Sequence, residues 1–527
     1  MNRKCEFLLH DVEFLSCVAN IQNSYKYPST ELDRIWKLLL LNQFHDVLPG
    51  SSIGLVYKDS HRHYKDIEKS AQKLVDEALM SLLLGQKNDH KCTVVNTLGW
   101  ERKEVVSLPP GEDCKSPVKK QAKQEIETVQ IDSCGNSLDK ISVNSHSRVR
   151  SVESNLLILI LYMRPRDLFI VLDFELNILG LPTRRVLVDL QLFASTADKI
   201  LVNVPSYGYS DLQPLECKYP AVIMKREDLF YFENQYLQAC VDHYGRIIGL
   251  FVQGSERNLI DKDYYANQFV LYDDIPLFWD AWDIMDYHLE TRKPLDHVLQ
   301  HTIIQDEGPI RVSVEISDRS YLKQIISLDA ECPYLKFSTE TMVAWHENRK
   351  LLKVEFPTTI HTNNATYEIQ YGHLQRPNHF NTSWDWARFE VCGHKWADIS
   401  EYGYGVAILN DCKYGFSTLD GVMRMSLLRS PKAPDSKADM GTHHFTYAVM
   451  PHTATNNDDV LHDILHCLKY SESLIINLVL LKVGGCGRIV TINLVHVIEC
   501  SIGLYWDSKG DKILNKACHC SRAYCNK

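Results

Sequence analysis

The period of the apolar residues changes once along the chain, and this change limits the fold more than any other feature. Residues 1 to about 88 are predicted to be helical, because apolar side chains recur there every three or four positions. From about residue 92 onward, short β-branched or alternating runs are separated by Gly, Pro and Asn, which is typical of strands. The sequence therefore predicts an α+β protein, with an N-terminal helical-bundle segment followed by all-β sandwich domains.

Two helices of the first region are predicted in detail. One begins at Pro28-Ser29-Thr30-Glu31, where a small hydroxyl would cap it and an acid lies in the first turn. Apolar residues cover nearly its whole circumference, which predicts a central, buried helix that Pro49-Gly50 terminates. The next helix has an apolar stripe that consists of Tyr64, Ile67, Ala71, Leu74, Val75, Ala78 and Leu82.

The β region is predicted to extend to about residue 455. The stretch "CTVVNTLGWERKEVVSLP" is typical of a strand, a turn and a second strand. The stretch "YLQACVDHYGRIIGLF" predicts a hairpin around an Asp-His-Tyr-Gly turn.

Charge and hydropathy argue against several kinds of partner. The net charge of −10 argues against a nucleic-acid or anionic-membrane surface. The most apolar run, "LLILILYM" at 156–163, is too short to span a bilayer.

The first residues lack the pattern of a secretory signal, so we expect a cytoplasmic protein whose 16 cysteines are free thiols.

A His-Asp pair lies in the apolar stretch "LLLLNQFHDVLPGSS". On a continuous helix, His45 would lie above Leu41 and Leu38, and its neighbour Asp46 above Asn42. A buried polar pair is costly unless something satisfies it, either a packing neighbour, a metal or a substrate. Two residues alone do not make a metal site, so a structural hydrogen-bonded pair is the plainer interpretation.

Several stretches resemble one enzyme family. "LLLLNQFHDVLPGSSI" is similar to the Gln-Phe-His-Asp segment of glycoside hydrolase family 38, the α-mannosidases, and its continuation resembles the cytosolic branch. The stretches "VVNTLGWERKEVVSLP", "NQFVLYDDIPLFWDAWDIMDYH", "YGHLQRPNHFNTSWDWARFEV", "LNDCKYGFS" and "LLRSPKAPD" resemble the β domains that follow in that family. The resemblance covers about 1–110 and 200–455.

The resemblance implies a zinc-dependent, retaining α-mannosidase that removes terminal α-linked mannose from oligosaccharides. It makes His45 a ligand of zinc, or of another divalent cation such as cobalt, and Asp46 a substrate-binding carboxylate. A mannose-containing oligosaccharide is then the expected partner. Assembly into a homo-oligomer is left open.

The sequence departs from the family pattern before His45. In the family, the other zinc ligands, the nucleophile and the general acid come from an α/β barrel, which is largely absent from this sequence. Only Asp11 and Asp33 precede His45 as aspartates, and neither lies in a His-x-Asp motif. We therefore expect the nucleophile and acid/base upstream of Met1 and this chain to be inactive alone. The alternative is a non-catalytic carbohydrate-binding or oligomerisation fragment.

Two segments lie outside the resemblance. Residues 111–199 open with the charged stretch "KSPVKKQAKQEIE", and residues 456–527 form a tail with six of the 16 cysteines. We interpret both as intron-derived or mispredicted sequence, with a genuine insertion as the alternative. The predicted division is then a helical segment at 1–88, β domains at 89–110 and 200–455, and these two segments.

An acidic and aromatic run supplies further candidates for sugar contacts. Trp faces stack on sugar C–H groups and carboxylates accept hydrogen bonds from hydroxyls, which favours a substrate-binding role. The alternative is that alternate residues belong to the core while the acids face solvent. The candidates are Tyr272, Asp273, Asp274, Trp279 and Asp280, with Trp282 and Asp283 beyond them. The group Trp384, Asp385, Trp386 and Arg388 is open to the same two interpretations.

Overall fold

Three helices open the chain and antiparallel strands follow them, which confirms the predicted change from helix to sheet. The computed structural model describes residues 1–83, 91–107, 199–296, 301–318, 322–345, 348–453, 460–476 and 478–483, together with five strands between 126 and 188. The helices are α1 (Asn2–Asn23), α2 (Ser29–Asn42), α3 (Gly54–Leu83), α4 (Ser383–Trp386) and α5 (Val460–Ile475), with a 3-10 helix at Asp286–Thr291.

The strands up to the middle of the chain are β1 (Lys91–Asn96), β2 (Arg102–Ser107), β3 (Ile126–Ile131), β4 (Ser137–Val143), β5 (Ile158–Arg164), β6 (Asp167–Phe174), β7 (Arg184–Val188), β8 (Lys199–Val204), β9 (Gly208–Asp211), β10 (Val222–Arg226), β11 (Leu229–Glu233), β12 (Leu237–Asp242), β13 (Ile247–Val252) and β14 (Gln268–Asp273). The remaining strands are β15 (Lys293–Pro294), β16 (His301–Glu307), β17 (Arg311–Ser317), β18 (Leu322–Asp329), β19 (Leu335–Val343), β20 (Lys350–Pro357), β21 (Asn364–Ile369), β22 (Gly372–Pro377), β23 (Val391–Cys392), β24 (Trp396–Glu401), β25 (Tyr404–Asn410), β26 (Gly415–Leu419), β27 (Val422–Arg429), β28 (Gly441–His452) and β29 (Val479–Val483).

Helices α1, α2 and α3 pack around one apolar core. The predicted stripe of α3 is confirmed, since Ile67, Ala71 and Ala78 are fully buried in the same apolar cluster as Leu9 of α1 and Leu39 of α2. Burying a Leu or Ile side chain contributes about 1.5–3 kcal/mol, so this stripe holds the three helices together.

Helix α2 differs from its prediction in three respects. It starts at Ser29 with no side-chain cap, and it ends at Asn42 instead of at Pro49-Gly50. The Asn42 amide donates to the Leu38 carbonyl, and the next backbone bonds tighten to the i→i−3 type, so the helix stops before the His-Asp pair. Its last turn is not central, because Leu40 and Leu41 are 58% and 57% exposed.

The β region contains two large antiparallel sheets. The nine-stranded sheet has the order β16-β17-β18-β19-β28-β25-β24-β21-β22, and the six-stranded sheet has the order β15-β14-β20-β27-β26-β23. Their facing sides share one core, in which Phe337 of the first sheet and Phe356 of the second have ring centroids 6.4 Å apart. The predicted sandwich is therefore confirmed for these sheets.

Smaller antiparallel sheets complete this part of the chain. The order β10-β11-β12-β13 contains the predicted hairpin of β12 and β13. The strands on either side of the "NTLGWE" turn do not pair with each other, because β1 lies between β29 and β9 while β2 pairs with β8. Strand β29 falls in the segment 456–527, and the tail beyond residue 483 lies outside the described residues.

Residues 108–198 form a separate unit by their internal contacts. Its described strands pair antiparallel as β3-β4 and β5-β6-β7. The interpretation of residues 111–199 as intron-derived or mispredicted sequence stays a prediction, and so does the alternative of a genuine insertion. Across the described part of the chain, every helix falls short of the length and apolarity that crossing a bilayer requires.

Candidate functional site

The loop between α2 and α3 carries the His-Asp pair. Its first residue, Gln43, donates from its side-chain amide to Asn2 at 3.1 Å and to Glu6 at 2.5 Å, which ties the loop to α1. The residues from Phe44 to Leu48 continue as tight turns, and Gly50 has a left-handed φ of 88° that reverses the chain. The pair is therefore held on a loop at the end of the helical bundle.

Asp46 is held in this loop by hydrogen bonds to its carboxylate and to its backbone carbonyl. Its carboxylate accepts from the Ser51 hydroxyl at 3.1 Å. The Tyr57 hydroxyl of α3 donates to the Asp46 carbonyl at 3.3 Å and accepts from the Ser52 amide at 2.8 Å. Tyr57 thus holds both ends of the loop, and the Asp46 side chain stays 43% exposed.

His45 lies next to Asp46 and faces outward. Its side chain is 65% exposed, so the expectation of a buried pair is wrong. The physical reason is the early end of α2, which moves the pair off the apolar helix. His45 Nε2 lies 3.3 Å from the Asp46 carboxylate, and its ring stands perpendicular to that of Trp282 with centroids 6.4 Å apart.

A turn of the β region faces this loop across a cavity of about 900 Å³. We call it the His45 cavity because Asp46 and Trp282, the two neighbours of the His45 ring, line it, although His45 itself is not among the lining residues. The helical side contributes Asp46, Ser51, Ser52, Ile53 and Val56, and the other side contributes Trp279, Asp280, Ala281, Trp282, Arg349, Lys432, Ala433 and Pro434. The turn is closed by the Trp282 amide, which donates to the Trp279 carbonyl at 2.8 Å. The structure therefore brings Asp46, Trp279 and Asp280 together at one cavity.

The two Trp side chains are exposed to solvent, whereas Asp280 is mostly buried and already hydrogen-bonded. Trp279 and Trp282 are 78% and 60% exposed, so their faces are open to a ligand. Asp280 is 11% exposed, and its carboxylate accepts from Arg349 Nε and from the Lys432 amide, both at 3.1 Å. That bonding assigns Asp280 to shaping the wall of the cavity.

Three predicted residues lie outside the cavity. Tyr272 is buried in the sheet and donates to Glu355 at 2.7 Å. Asp273 pairs with Lys350. Asp274 is buried and pairs with Arg429.

Burial has clear electrostatic effects around Tyr272. Burial and the nearby Glu355 carboxylate raise the pKa of Tyr272 above its usual value. Burial alone would raise the pKa of Glu355, but hydrogen bonds from Arg292 and Tyr272 and the charge of Arg424 lower it to about 2. These groups satisfy one another, which is the pattern of a structural network.

The second Trp-rich group also lies away from the His45 cavity. Asp385 caps α4 together with Thr382 and pairs with Arg388 at 2.9 Å. Trp384 is 80% exposed, and the Trp386 ring nitrogen donates to Asp286 at 2.5 Å. Their role in sugar binding remains a prediction.

Sequence reasoning overlooked several residues of the cavity. Lys432 and Pro434 belong to the stretch "LLRSPKAPD", whose resemblance to the family could have singled them out. Tyr57 and Arg349 stand in no motif, and only the folded chain shows that they reach the site.

The described residues do not complete a metal site by themselves. Among them, no group of three His, Cys, Asp or Glu side chains is placed to hold a metal ion. His45 and Asp46 offer two donors, whereas a catalytic zinc takes about three protein ligands. His45 and Asp46 could therefore supply part of a metal site, but they cannot form a complete one by themselves.

Comparisons with known proteins match the two segments of the chain that line the His45 cavity. The alpha mannosidase middle domain model matches residues 1–82, which include His45 and Asp46. The glycosyl hydrolases family 38 C-terminal domain model matches residues 232–437, which include Trp279 and Trp282. The chain belongs to glycoside hydrolase family 38. The predicted resemblance is thereby confirmed for the middle and C-terminal domains of family 38.

Curated relatives extend the match beyond these two models. The chain is 40% identical over 470 residues to Alpha-mannosidase 2C1 of Homo sapiens, which covers 87% of this chain and 37% of the relative. It is 34% identical to Alpha-mannosidase G of Dictyostelium discoideum over 86% of this chain and 39% of the relative. It is 33% identical to Alpha-mannosidase of Saccharomyces cerevisiae, in a match that covers 89% of this chain and 35% of the relative. The chain thus spans between a third and two fifths of the length of these relatives.

A solved family 38 structure has the same fold. The crystal structure of an alpha-mannosidase from Enterococcus faecalis V583 superposes with a TM-score of 0.61 at 15% sequence identity. It covers 92% of this chain, and this chain covers 57% of it. At this identity the similarity establishes the fold alone, which is helices followed by antiparallel sheets.

Proposed function

We propose that this chain forms the middle and C-terminal part of a cytoplasmic α-mannosidase that removes terminal α-linked mannose from oligosaccharides. The observation that carries the proposal is the His45 cavity, which Asp46 of the middle domain and two exposed Trp side chains of the C-terminal domain line together, with the ring of the adjacent His45 6.4 Å from that of Trp282. Its volume of about 900 Å³ lies within the range of small-molecule sites.

The chemistry of the lining suits a sugar. The partly exposed Asp46 carboxylate accepts hydrogen bonds from sugar hydroxyls, and the faces of Trp279 and Trp282 pack on the C–H side of the ring. A mannose-containing oligosaccharide is the partner that this combination favours.

Retaining hydrolysis needs two carboxylates, one as nucleophile and one as acid/base. At the His45 cavity the lining carboxylates are Asp46 and Asp280, and Asp280 is already bonded to Arg349 and Lys432. We therefore assign both catalytic carboxylates to a part of the enzyme outside this sequence, so that the chain alone does not hydrolyse mannosides.

Enzymes of this family are generally zinc-dependent. We propose His45 as one ligand of that metal, zinc or another divalent cation such as cobalt. The Asp46 carboxylate, 3.3 Å from Nε2, would orient the imidazole, as carboxylates beside metal-bound histidines do.

The test uses the enzyme encoded by the complete reading frame. We expect hydrolysis of an aryl α-mannoside. We expect His45→Ala to lose bound zinc and at least about 100-fold in rate, because changing only the groups that orient a metal-bound histidine already costs about 10- to 100-fold. The matched control is His61→Ala on the exposed face of α3, which should keep both metal and rate. Full metal content and normal rate in His45→Ala would reject the ligand assignment, and a complete enzyme without mannosidase activity would reject the function.

The exposed Trp pair also favours a second role for the isolated chain, namely sugar binding without hydrolysis. Calorimetric titration of the purified chain with an α-linked mannobiose should show binding and leave the sugar intact. Hydrolysis would contradict the assignment of the nucleophile, and absence of binding would reject this second role. Light scattering on the same sample tests whether the chain forms a homo-oligomer, which a monomeric mass would exclude.

A further inference from the structure

A second cavity, of about 360 Å³, lies between the β2-β8 ribbon, strands β17 to β19 and helix α5. We call it the Lys336 cavity. It shares no lining residue with the His45 cavity. Nine of its lining residues carry a charge, five of them positive and four negative. Charged groups in a partly enclosed cavity are costly unless each of them is paired or hydrogen-bonded.

Three of the five cations are already neutralised by carboxylates of the same cavity. Each pair makes at least one short hydrogen bond, with donor–acceptor distances between 2.5 and 2.8 Å. The pairs are Arg102 with Glu104, Arg311 with Asp329, and Lys103 with Glu331. These groups satisfy one another and do not by themselves require a ligand. The fourth carboxylate, Glu101, accepts from the Asn203 side-chain amide, so the lining as a whole carries one net positive charge.

Lys336 has no such partner. Among the described residues, its ammonium makes no hydrogen bond and no ion pair. Burial lowers the pKa of Lys336, and the charge of nearby Arg311 lowers it further, while Asp329 and Glu104 act in the opposite direction. Lys336 is therefore a cation of the cavity lining that no described carboxylate pairs with directly, although Asp329 and Glu104 lie close enough to favour its charge.

Two further cationic side chains of the cavity have donor groups without an acceptor among the described residues. Lys469 of α5 lies on the wall with its ammonium over the Tyr470 ring, 5.4 Å from the centroid, and without a carboxylate partner among the described residues. Arg102 is 1% exposed, and its Nη1 is buried with no acceptor in the described part of the chain. The other N–H groups of Arg102 are used by Glu104 and by the carbonyls of Ser473 and Ile476.

We propose that the Lys336 cavity binds a small oxyanion, namely a phosphate group that is either free or carried by a molecule of monosaccharide size. Phosphate supplies the negative charge and the acceptor oxygens that Lys336, Lys469 and Arg102 leave unused. The volume of about 360 Å³ is at the lower end of small-molecule sites, which suits a ligand of this size. The site is independent of the mannosidase proposal, because it shares no residue with the His45 cavity.

Calorimetric titration of the purified chain with inorganic phosphate, at constant ionic strength, tests the proposal. We expect saturable binding, and we expect Lys336→Met to weaken it at least about tenfold, since the charge is lost while the stem of the side chain is kept. The matched control is Lys323→Met on the neighbouring strand, where the lysine is 43% exposed and pairs with Glu315 at 2.7 Å. That variant should bind phosphate like the unchanged chain.

A parallel titration with mannose 6-phosphate distinguishes the two sources of the phosphate group. Tighter binding of mannose 6-phosphate than of inorganic phosphate would assign the site to a sugar phosphate, and the reverse order to the free ion. Equal binding by Lys336→Met and the unchanged chain would overturn the proposal. So would the absence of saturable binding for both ligands in the unchanged chain. Circular dichroism of Lys336→Met checks that a loss of binding is not a loss of fold.

Discussion

Residues 272–283 contain two regions of similar composition that the fold uses in opposite ways. In and next to β14, Tyr272 and Asp274 are 1% and 2% exposed and are bonded to Glu355 and Arg429. A few residues later, the side chain of Trp279 is 78% exposed and lines the His45 cavity. Acidic and aromatic side chains of similar sequence are thus buried within or next to the strand and exposed to a ligand a few residues after it ends.

The backbone explains the difference. Within a strand, alternate side chains point to opposite faces, so Tyr272 lies on the same face as Val270, opposite to the Phe269 side that joins the sandwich core. There it is buried in a cluster with Leu351, against which Ile284 and Leu289 pack. After the strand the chain turns, and Trp279 takes a left-handed φ of 58° that directs the turn toward solvent. The strand region is therefore expected to govern stability, and the turn region to govern binding.

The largest effect is expected at Asp274. Asp274→Ala removes the carboxylate that neutralises Arg429 and leaves that guanidinium without its counter-charge in a largely buried place. We expect a loss of about 3–5 kcal/mol in the free energy of unfolding, measured by urea denaturation. Asp283→Ala, in the exposed turn, is the control and should cost at most about 1 kcal/mol. Similar losses in the two variants would remove the distinction between strand and turn.

The next effect is a pH dependence that comes from His288, whose ring lies 5.1 Å from that of Tyr272. Burial, followed by the charge of Lys353, lowers the pKa of His288 from 6.5 to about 4. Between these values the unfolded chain binds more protons than the folded one, so stability falls as pH drops from about 6.5 to 4. The expected loss from this group is about 3 kcal/mol by pH 4.

Urea unfolding at several pH values measures this dependence. His288→Gln, which keeps a hydrogen-bonding side chain but does not titrate, should show a shallower decline over the same pH range. An unchanged slope in that variant would show that other groups cause the acid sensitivity.

A smaller effect is expected when only the hydroxyl of Tyr272 is removed. Tyr272→Phe loses one hydrogen bond to Glu355, which keeps its bonds from Arg292 and Arg424. We expect a loss of about 1–2 kcal/mol in the same denaturation experiment. No measurable change would mean that the two arginines satisfy Glu355 without the tyrosine.

The smallest effect is expected at Trp279, and with the opposite sign. A bulky residue with a left-handed φ is strained, so Trp279→Gly should raise the free energy of unfolding by up to about 1 kcal/mol. Trp384→Gly is the matched control, because Trp384 is equally exposed but helical, and the change should cost about 0.5–1 kcal/mol there. A loss of stability in both variants would show that Trp279 packs more than its exposure indicates.

The amino-acid sequence was enough to predict the helical start of the chain, the buried stripe of α3, the β12-β13 hairpin and the kinship with family 38. These features depend on periodicity, turn chemistry and motifs, which are local or are carried by long similar stretches. The end of α2 was mispredicted, because Asn42 competes for the Leu38 carbonyl within a run of leucines that otherwise favours helix.

Which of the candidate residues meet at one site became visible only in the folded chain. Asp46 and Trp279 are more than 200 positions apart, and Arg349 and Lys432 reach the same cavity from two further segments. The same holds for Lys336 and Arg102, whose unused donors become visible only when β2, β19 and α5 are placed together. Composition cannot tell a neutralised charge from a free one, because the partner is chosen by packing between segments that are distant in sequence.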